Sequence, residues 1–388
     1  MIYLDNAATS YPKPEGVYRG MEAFVRASGA NPGRGGHRRA VEAEAMIGDT
    51  RRLLARLFAA PRPERIVFGC NATDALNMAI KGVLRPGDHA ITSVLEHNSV
   101  SRPLNRLEQD GVVTLTRLPA TAAHVIDPDA VRRALTPKTR LVALTHASNV
   151  TGTIQPVRDI GRIVREHGAL FLVDAAQSAG AVPIEVERDG IDLLAFTGHK
   201  GLLGPTGTGG LYVGERAEVR PWREGGTGGD STRPVQPDEF PHRLEGGTPN
   251  VFGLAGLREG VRHLLEQGVE SVLPHERALL AEFLKALREP ARFEFYGADR
   301  DLLERRGEGR VGLLSLTVRR FDPAEFAAVL DEQFDIAVRP GLHCAPYAHR
   351  HLGTFSGGTV RLSVGVLNTG DEMRRAAAAF EEVAVAAA

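Results

Sequence analysis

Apolar residues in the first 215 positions come in short, nearly continuous runs, separated in several places by segments with helical spacing. Such runs predict strands that are covered on both faces, as in a largely parallel sheet. The predicted strands span residues 65–68, 89–94, 112–115, 141–145, 169–173 and 191–196, and the predicted helices span residues 15–28, 39–60, 74–81, 127–134 and 157–166. Alternation of these two element types predicts an α/β layered domain.

The pattern changes in the last third of the chain. Between residues 224 and 249 glycine and proline steps follow one another without any period, which predicts a long loop with a function or a partner contact. Helices and strands then mix in a way that predicts a smaller α+β region. The predicted helices span residues 251–267, 273–288, 323–331 and 371–385, and the predicted strands span residues 311–318 and 359–364.

Composition and charge exclude several classes of protein. The 388 residues, 43% hydrophobic and 24% charged, suffice for a large core and two domains. A formal net charge of −1 gives no electrostatic case for a nucleic-acid or membrane partner. No apolar run approaches the ~20 residues of a membrane span, and the first residues lack the features of a signal peptide. Two distant cysteines exclude a disulfide framework, so we expect a cytoplasmic protein.

Lys200 is the first candidate for chemistry. It lies between His199 and a glycine-rich run, directly after the predicted strand 191–196. Only five of the 47 basic residues are lysines, so arginine is used nearly everywhere else. An amine can lose its proton and form a Schiff base, whereas a guanidinium cannot. The alternative is a surface lysine in a glycine-rich turn.

Polar residues also close other predicted strands, where open α/β sheets bind their ligands. Asp174 follows the strand 169–173, and a carboxylate there can pair with the protonated ring nitrogen of pyridoxal 5′-phosphate (PLP). Gln177 lies where it could reach the phenolic oxygen of such a ring. A helix N-cap is the alternative role of Asp174. His97 and Asn149 also follow predicted strands, and the His97 ring could stack on a flat cofactor or relay protons. A structural role is the alternative for each of these two residues.

A possible phosphate cradle follows the strand 65–68. Ala72 and Thr73 lie in a turn that opens a helix, where backbone N–H groups, the helix dipole and a hydroxyl attract an anion. Any capped helix has a similar sequence. Cys70, in the same turn, is predicted to be a small buried residue.

Cys344 lies in a loop bounded by proline and glycine, which predicts an exposed thiol. Arg339 and His343 are close in sequence, and positive neighbours favour the reactive thiolate. A metal site is the alternative, but neither Cys-x-x-Cys nor His-Glu-x-x-His spacing occurs, so we expect no metal. Arg361, in the predicted strand 359–364, could bind a carboxylate or form a structural ion pair.

Taken in order, these motifs resemble the class V (fold type I) PLP-dependent aminotransferase family over essentially the whole chain. Within it the chain resembles the group II, SufS-like cysteine desulfurases, which the His-Cys-Ala segment 343–345 singles out. The motifs are Tyr-Leu-Asp-Asn-Ala-Ala-Thr at 3–9, Asn-Ala-Thr-Asp at 71–74, Glu-His at 96–97, Ser-Asn-Val-Thr-Gly at 148–152, Asp-Ala-Ala-Gln at 174–177, Thr-Gly-His-Lys at 197–200, Gly-Gly-Thr-Pro-Asn at 246–250, and Arg361.

The resemblance implies a two-domain architecture. The large PLP-binding domain, residues 13–260, would hold a mainly parallel mixed sheet between helices. Residues 1–12 and 261–388 would form a smaller α+β domain that carries the cysteine loop. The chain would be a homodimer with the loop 224–249 at its interface.

The resemblance also implies site roles. Lys200 would form the covalent link to the cofactor. Asp174 would contact the ring nitrogen, Gln177 the ring oxygen and His97 the ring face, and Asn149 would also bind the cofactor. The phosphate site would consist of Ala72, Thr73, Thr197, His199 and the neighbouring subunit's Thr248. Asn149 and Arg361 would bind the substrate carboxylate. The catalytic residues would be Lys200, His97 and the sulfur acceptor Cys344.

The implied reaction removes sulfur from L-cysteine, giving L-alanine and a persulfide on Cys344. A sulfur-acceptor protein would receive the sulfur for iron–sulfur clusters or other thio-cofactors. The alternatives are a selenocysteine lyase, a cysteine sulfinate desulfinase or another class V transaminase, and, further away, a non-catalytic dimeric scaffold or sulfur-relay protein. Two stretches depart from the family: residues 345–353, and the Asn-Ala pair at 71–72, where many relatives carry a hydroxyl.

Overall fold

A seven-stranded sheet built from residues 66–213 is the main element of the structure, a computed structural model that describes residues 1–33, 36–228, 232–297 and 309–386. Its strands lie in the order β2-β8-β7-β6-β5-β3-β4. They are β2 (Ile66–Gly69), β3 (Asp88–Ser93), β4 (Val113–Leu118), β5 (Thr139–Thr145), β6 (Leu170–Asp174), β7 (Leu193–Thr197) and β8 (Gly209–Val213). β8 runs antiparallel to both of its neighbours, and the other pairs are parallel. The sheet is therefore mixed and mainly parallel, as predicted.

Helices pack on both faces of this sheet, which explains the continuous apolar runs. In β6, Phe171 and Val173 belong to one core while Leu170 and Leu172 belong to the other, because successive side chains of a strand point to opposite faces. One face is covered by helices α1 (Glu15–Ser28), α2 (Arg38–Leu57), α5 (Pro128–Ala134), α6 (Val157–His167) and α7 (Val251–Gln267), and the other by α3 (Ala72–Val83) and α4 (Asn98–Gln109).

A smaller core joins the C-terminal region to the first residues of the chain. It contains an antiparallel sheet in the order β12-β13-β10-β9 and a parallel pair of β1 with β11. These elements are β1 (Ile2–Tyr3), β9 (Phe293–Tyr296), β10 (Leu313–Val318), β11 (Ile336–Ala337), β12 (Arg339–Gly341) and β13 (Thr359–Ser363), with helices α8 (Val272–Ala286), α9 (Pro323–Phe334), the short α10 (Pro346–His351) and α11 (Gly370–Ala386).

We propose two domains that correspond to these two cores. Ile2 and Leu4 pack in the smaller core, which supports assigning the N-terminal residues to the C-terminal domain. Val261 and Leu264 of α7 pack in the larger core. The proposed boundary therefore moves from residue 260 to the end of α7.

The helices α4 and α10 and the strands β1, β8, β9, β11 and β12 were not predicted, and for α4, α10 and β8 the reason is local. Helix α4 carries an internal proline, Pro103, and α10 has only six residues. Strand β8 begins with two glycines, which have low strand propensity. Gly210 is needed there because a Cβ would collide with the carbonyl oxygen of Val67 on the adjacent strand.

The predicted loop 224–249 contains no helix or strand in its described part, and residues 229–231 lie outside the described ranges. Across those ranges, no helix combines the length and apolar character needed to cross a bilayer.

Candidate active site

The carboxyl ends of neighbouring parallel strands meet at one edge of the large sheet and border a cavity of about 270 Å³. The small core closes this cavity from the opposite side. Eleven of the twelve predicted site residues line it: Ala72, Thr73, His97, Asn149, Asp174, Gln177, Thr197, His199, Lys200, Cys344 and Arg361. Thr248 does not; it lines a separate cavity of about 610 Å³ beside the loop 224–249.

Lys200 lies in a turn after β7 that backbone hydrogen bonds fix in place. The N–H of Gly204 donates to the carbonyl of Gly198 (2.7 Å), and the N–H of Ser10 donates to that of His199 (2.9 Å). Removal of the ammonium from water lowers the pKa of Lys200 to about 8; the Arg361 charge adds to this effect and the Asp174 charge opposes it. About a tenth of the amine is therefore neutral at pH 7, far more than for a lysine with the ordinary pKa.

Asp174 ends β6 and accepts a hydrogen bond from the N–H of Ala176 (2.9 Å). Only turns follow it before β7, so the alternative of a helix N-cap is wrong. Burial raises its pKa, while the Ala176 N–H and the Lys200 charge oppose that shift. Nearby Glu96 is fully buried, and burial together with the Asp174 charge raises its pKa to about 8 despite a hydrogen bond from Ser93. Glu96, which does not line the cavity, is therefore mostly protonated at neutral pH.

Two buried polar atoms mark one end of the cavity. Thr197 Oγ1 and His199 Nδ1 have no hydrogen-bond partner among the residues that the structure describes. Burial lowers the pKa of His199 to about 4, so this ring is neutral. Unpaired buried polar groups are costly. Near the N-terminus of α3, they fit an anion such as the phosphate of PLP.

His97 precedes α4 and is held by the following turn. Its Nδ1 accepts the N–H of Ser99 (3.1 Å), so the proton of the neutral ring is assigned to Nε2. Burial, reinforced by the Lys200 charge, lowers the pKa of His97 to about 4. Ser99 also pairs with Thr73 (2.7 Å between hydroxyl oxygens) and lines the cavity, but the sequence analysis missed it because α4 was not predicted.

The loop that carries Cys344 is held in an unusual conformation. His343 and Cys344 both have left-handed backbones, with φ of 46° and 58°, which costs a residue other than glycine ~1–3 kcal/mol. Asn149 donates its side-chain amide to the carbonyl of His343 (2.6 Å), and the N–H of Asn98 donates to that of Cys344 (2.7 Å). The Cys344 thiol is exposed, as predicted.

His343 is a poor candidate for the base that activates Cys344. Its ring is buried, and its Nε2 lies 3.0 Å from Thr359 Oγ1. Burial, with the Arg361 charge and His349 nearby, lowers the pKa of His343 to about 2. Such a ring stays neutral and barely accepts a proton, which contradicts the interpretation that this histidine activates the thiol.

Arg361 forms a structural ion pair, one of the two roles that the sequence left open. One terminal nitrogen forms an ion pair with Asp5 (3.0 Å), and the other donates to the carbonyl of Asn149 (3.1 Å). Its buried Nε has no partner among the described residues. Two of the five N–H groups of the guanidinium thus anchor it structurally, and the Nε–H is among those left to donate.

The prediction that Cys70 is buried is wrong. Cys70 is exposed and lines the larger cavity. The reason is its place in the fold, since β2 is an edge strand and the turn that follows it lies at the surface. Partial burial and the Asp74 carboxylate raise the pKa of the Cys70 thiol. Within the described ranges no group of three or more His, Cys, Asp or Glu residues is arranged to hold a metal ion.

A family model for class-V aminotransferases matches residues 2–375. The chain belongs to this family. The class-V aminotransferases are PLP-dependent enzymes, and the match extends from the first strand into the last helix. The predicted family is therefore confirmed.

Relatives and solved structures agree with this assignment. The chain is 36% identical to a probable cysteine desulfurase of Methanothermobacter thermautotrophicus over 392 residues, 99% of this chain and 94% of the relative. The apo structure of a cysteine desulfurase from Thermococcus onnurineus has a TM-score of 0.91 and 33% identity, covering 99% of this chain and 95% of that one. The Escherichia coli cysteine desulfurase CsdA has a TM-score of 0.86 and 30% identity, covering 98% and 94% respectively. The fold prediction is likewise confirmed.

Proposed function

We propose that this chain is a PLP-dependent cysteine desulfurase, which converts L-cysteine to L-alanine and retains the removed sulfur as a persulfide on Cys344. The observation that carries the proposal is that Lys200, with its lowered pKa, and the exposed thiol of Cys344 line one cavity. The names of the relatives support the same activity.

PLP would be held by the residues that line the inner part of the cavity. We assign Lys200 to the covalent link, Asp174 to the ring nitrogen, Gln177 to the ring oxygen and His97 to the ring face; Ala72, Thr73, Thr197 and His199 would surround the phosphate. The unpaired atoms of Thr197 and His199 are those that an anion would satisfy. When bound, PLP supplies an electron sink for the bond electrons released at the substrate Cα.

Lys200 and Arg361 have separate tasks in this mechanism. The Lys200 amine, with a pKa of about 8, moves the proton from the substrate Cα. The free Nε–H of Arg361 binds the substrate carboxylate, and Asn149 contributes to the same subsite. Asp174 keeps the ring nitrogen protonated through its negative charge.

Cys344 performs the sulfur transfer. Its thiolate attacks the sulfur of the bound cysteine, so that an S–S bond forms while the Cβ–S bond breaks. The electron pair of the broken bond stays with the carbon, which takes up protons and leaves as L-alanine. Both sulfur atoms are oxidised and the carbon is reduced, so no external oxidant or reductant is needed.

Dimerisation and sulfur delivery are further parts of the proposal. Thr248 lines a cavity beside the irregular loop 224–249 instead of the candidate active site. A second copy of the chain would bring Thr248 to its neighbour's cofactor phosphate, with this loop at the interface. A sulfur-acceptor protein, serving iron–sulfur cluster or thio-cofactor supply in the cytoplasm, would then collect the sulfur.

Product analysis tests the proposed reaction. Wild-type protein supplied with PLP and L-cysteine, together with a thiol reductant to release the sulfur, should form L-alanine and sulfide in equal amounts. No oxo-acid should be required, because the reaction is not an amino-group exchange. A requirement for an oxo-acid would favour a transaminase, and an absence of alanine would overturn the proposal.

A further inference from the structure

We propose that Arg117 and Tyr347 form a clamp that positions Cys344 over the cavity before substrate binds. The part of the inference that concerns sulfur transfer rests on the proposed function. Arg117 lies on β4 and Tyr347 on α10, so the clamp joins the large sheet to the helix that directly follows the cysteine. Tyr347 lies three residues after Cys344 in the sequence.

Helix α10 depends on its neighbours for its position. A helix of six residues is not stable by itself in water. On one side, Ala345 and Ala348 are fully buried against Val150, and partly buried Leu352 completes this small cluster. The cluster contains few side chains, and polar contacts of His349 with Thr354 (2.8 Å) and of His351 with His124 (3.3 Å) add to it.

Tyr347 provides a further anchor, which joins the helix to β4 and α4. The guanidinium carbon of Arg117 lies 4.0 Å from the centre of the Tyr347 ring, a cation–π contact. Asn105 on α4 donates its side-chain amide to the Tyr347 hydroxyl (3.1 Å). Asn105 also accepts a hydrogen bond from Arg117 (2.7 Å), which closes a three-residue network.

Arg117 is itself held in place by the backbone near His97. One of its terminal nitrogens donates to the carbonyl of Ser93, the last residue of β3 (3.1 Å). The Cys344 carbonyl accepts the N–H of Asn98, the first residue of α4. Arg117 of the clamp therefore contacts β3, and the cysteine loop contacts α4, the two elements on either side of His97 in the sequence.

The backbone of the loop explains why such an anchor matters for Cys344. Only Ala345 and Pro346 separate the cysteine from Tyr347. His343 and Cys344 both hold left-handed conformations, which persist only where surrounding contacts enforce them. The Tyr347 anchor adds to the hydrogen bonds from Asn149 and Asn98 that hold these two residues. When it is removed, we expect the loop to relax and the thiol to leave its position over the cavity.

Alkylation of Cys344 tests the clamp without relying on catalysis. The full-length variants Arg117→Ala and Tyr347→Ala, supplied with PLP, are treated with iodoacetamide, and labelling is followed by peptide mass spectrometry. We expect the Cys344 rate to differ from the wild-type rate by about threefold or more, because the loop no longer holds the thiol in one environment. Cys70 in the same sample is the internal reference, and its rate should not change. An unchanged Cys344 rate in both variants would overturn the clamp.

Substrate comparison tests its effect on sulfur transfer. Turnover of L-cysteine should fall roughly tenfold to a hundredfold in both variants, because a displaced nucleophile reacts slowly. Turnover of cysteine sulfinate, which needs no thiol nucleophile, should change little. Tyr347→Phe keeps the ring over Arg117 and should retain most of the activity, and Arg106→Ala removes a surface charge of α4 that pairs with Asp110 and should match wild type.

Two outcomes separate this inference from the proposed function. An equal loss of turnover with both substrates would indicate a general defect and would overturn a specific role in positioning Cys344. If wild type forms no alanine from L-cysteine, the proposed function fails, while the alkylation rates of Cys344 still decide whether the clamp exists.

Discussion

Lys200→Ala should abolish turnover of L-cysteine, with a loss of roughly a thousandfold or more, because both the covalent anchor of PLP and the proton-transferring amine are removed. The variant should also lose the absorbance of protein-linked PLP. The measurement is a visible spectrum of the protein after PLP is added and free PLP is removed, together with the rate of alanine formation.

Lys13→Ala is the informative control for this experiment. Burial also lowers the pKa of Lys13 to about 8, and its amine donates to Ser10 (3.0 Å) close to the Lys200 turn. A lowered pKa therefore does not distinguish the two lysines, whereas only Lys200 lines the cavity. We expect Lys13→Ala to keep the PLP absorbance. If it loses that absorbance and Lys200→Ala keeps it, the assignment of Lys200 is wrong.

Cys344→Ala should lower L-alanine formation from L-cysteine by roughly a thousandfold while leaving PLP binding intact, because only the sulfur nucleophile is removed. Sulfinate and selenium leave without attack by a thiol, so turnover of cysteine sulfinate or selenocysteine should survive. Parallel assays with each substrate separate a desulfurase from the two lyase alternatives.

Cys70→Ala is the matched control, since Cys70 is the only other cysteine and is likewise exposed. It lines the other cavity, so its removal should leave L-cysteine turnover within about twofold of wild type, as is usual for a surface substitution. Undiminished turnover of L-cysteine in Cys344→Ala would remove the main support for desulfuration.

The sequence predicted the fold through local hydrophobic patterns. It predicted the residues of the cavity partly through strand ends and partly through the family motifs that the chain resembles. The runs that became β5, β6 and β7 are apolar on both faces, and that pattern arises in few environments other than a covered parallel sheet. Once the sheet is parallel, residues such as Asp174 and Lys200, which follow adjacent strands, must lie near each other.

Other features could not be predicted because they depend on contacts between distant parts of the chain. The exposure of Cys70 follows from the edge position of β2, which no local pattern reveals. The low pKa of His343 follows from burial of its ring in the folded chain and from the nearby Arg361 charge. Arg117 and Tyr347 are 230 residues apart, and neither carries a local signal of the contact between their side chains.

The location of the persulfide tests the central claim most directly. Wild-type protein with PLP is given L-cysteine without a sulfur acceptor, its thiols are blocked, and peptides containing Cys344 and Cys70 are compared by mass spectrometry without reduction. The account predicts a mass gain of one sulfur atom on the Cys344 peptide and none on the Cys70 peptide. Persulfide on Cys70 instead, or alanine formation without any persulfide on Cys344, would contradict it.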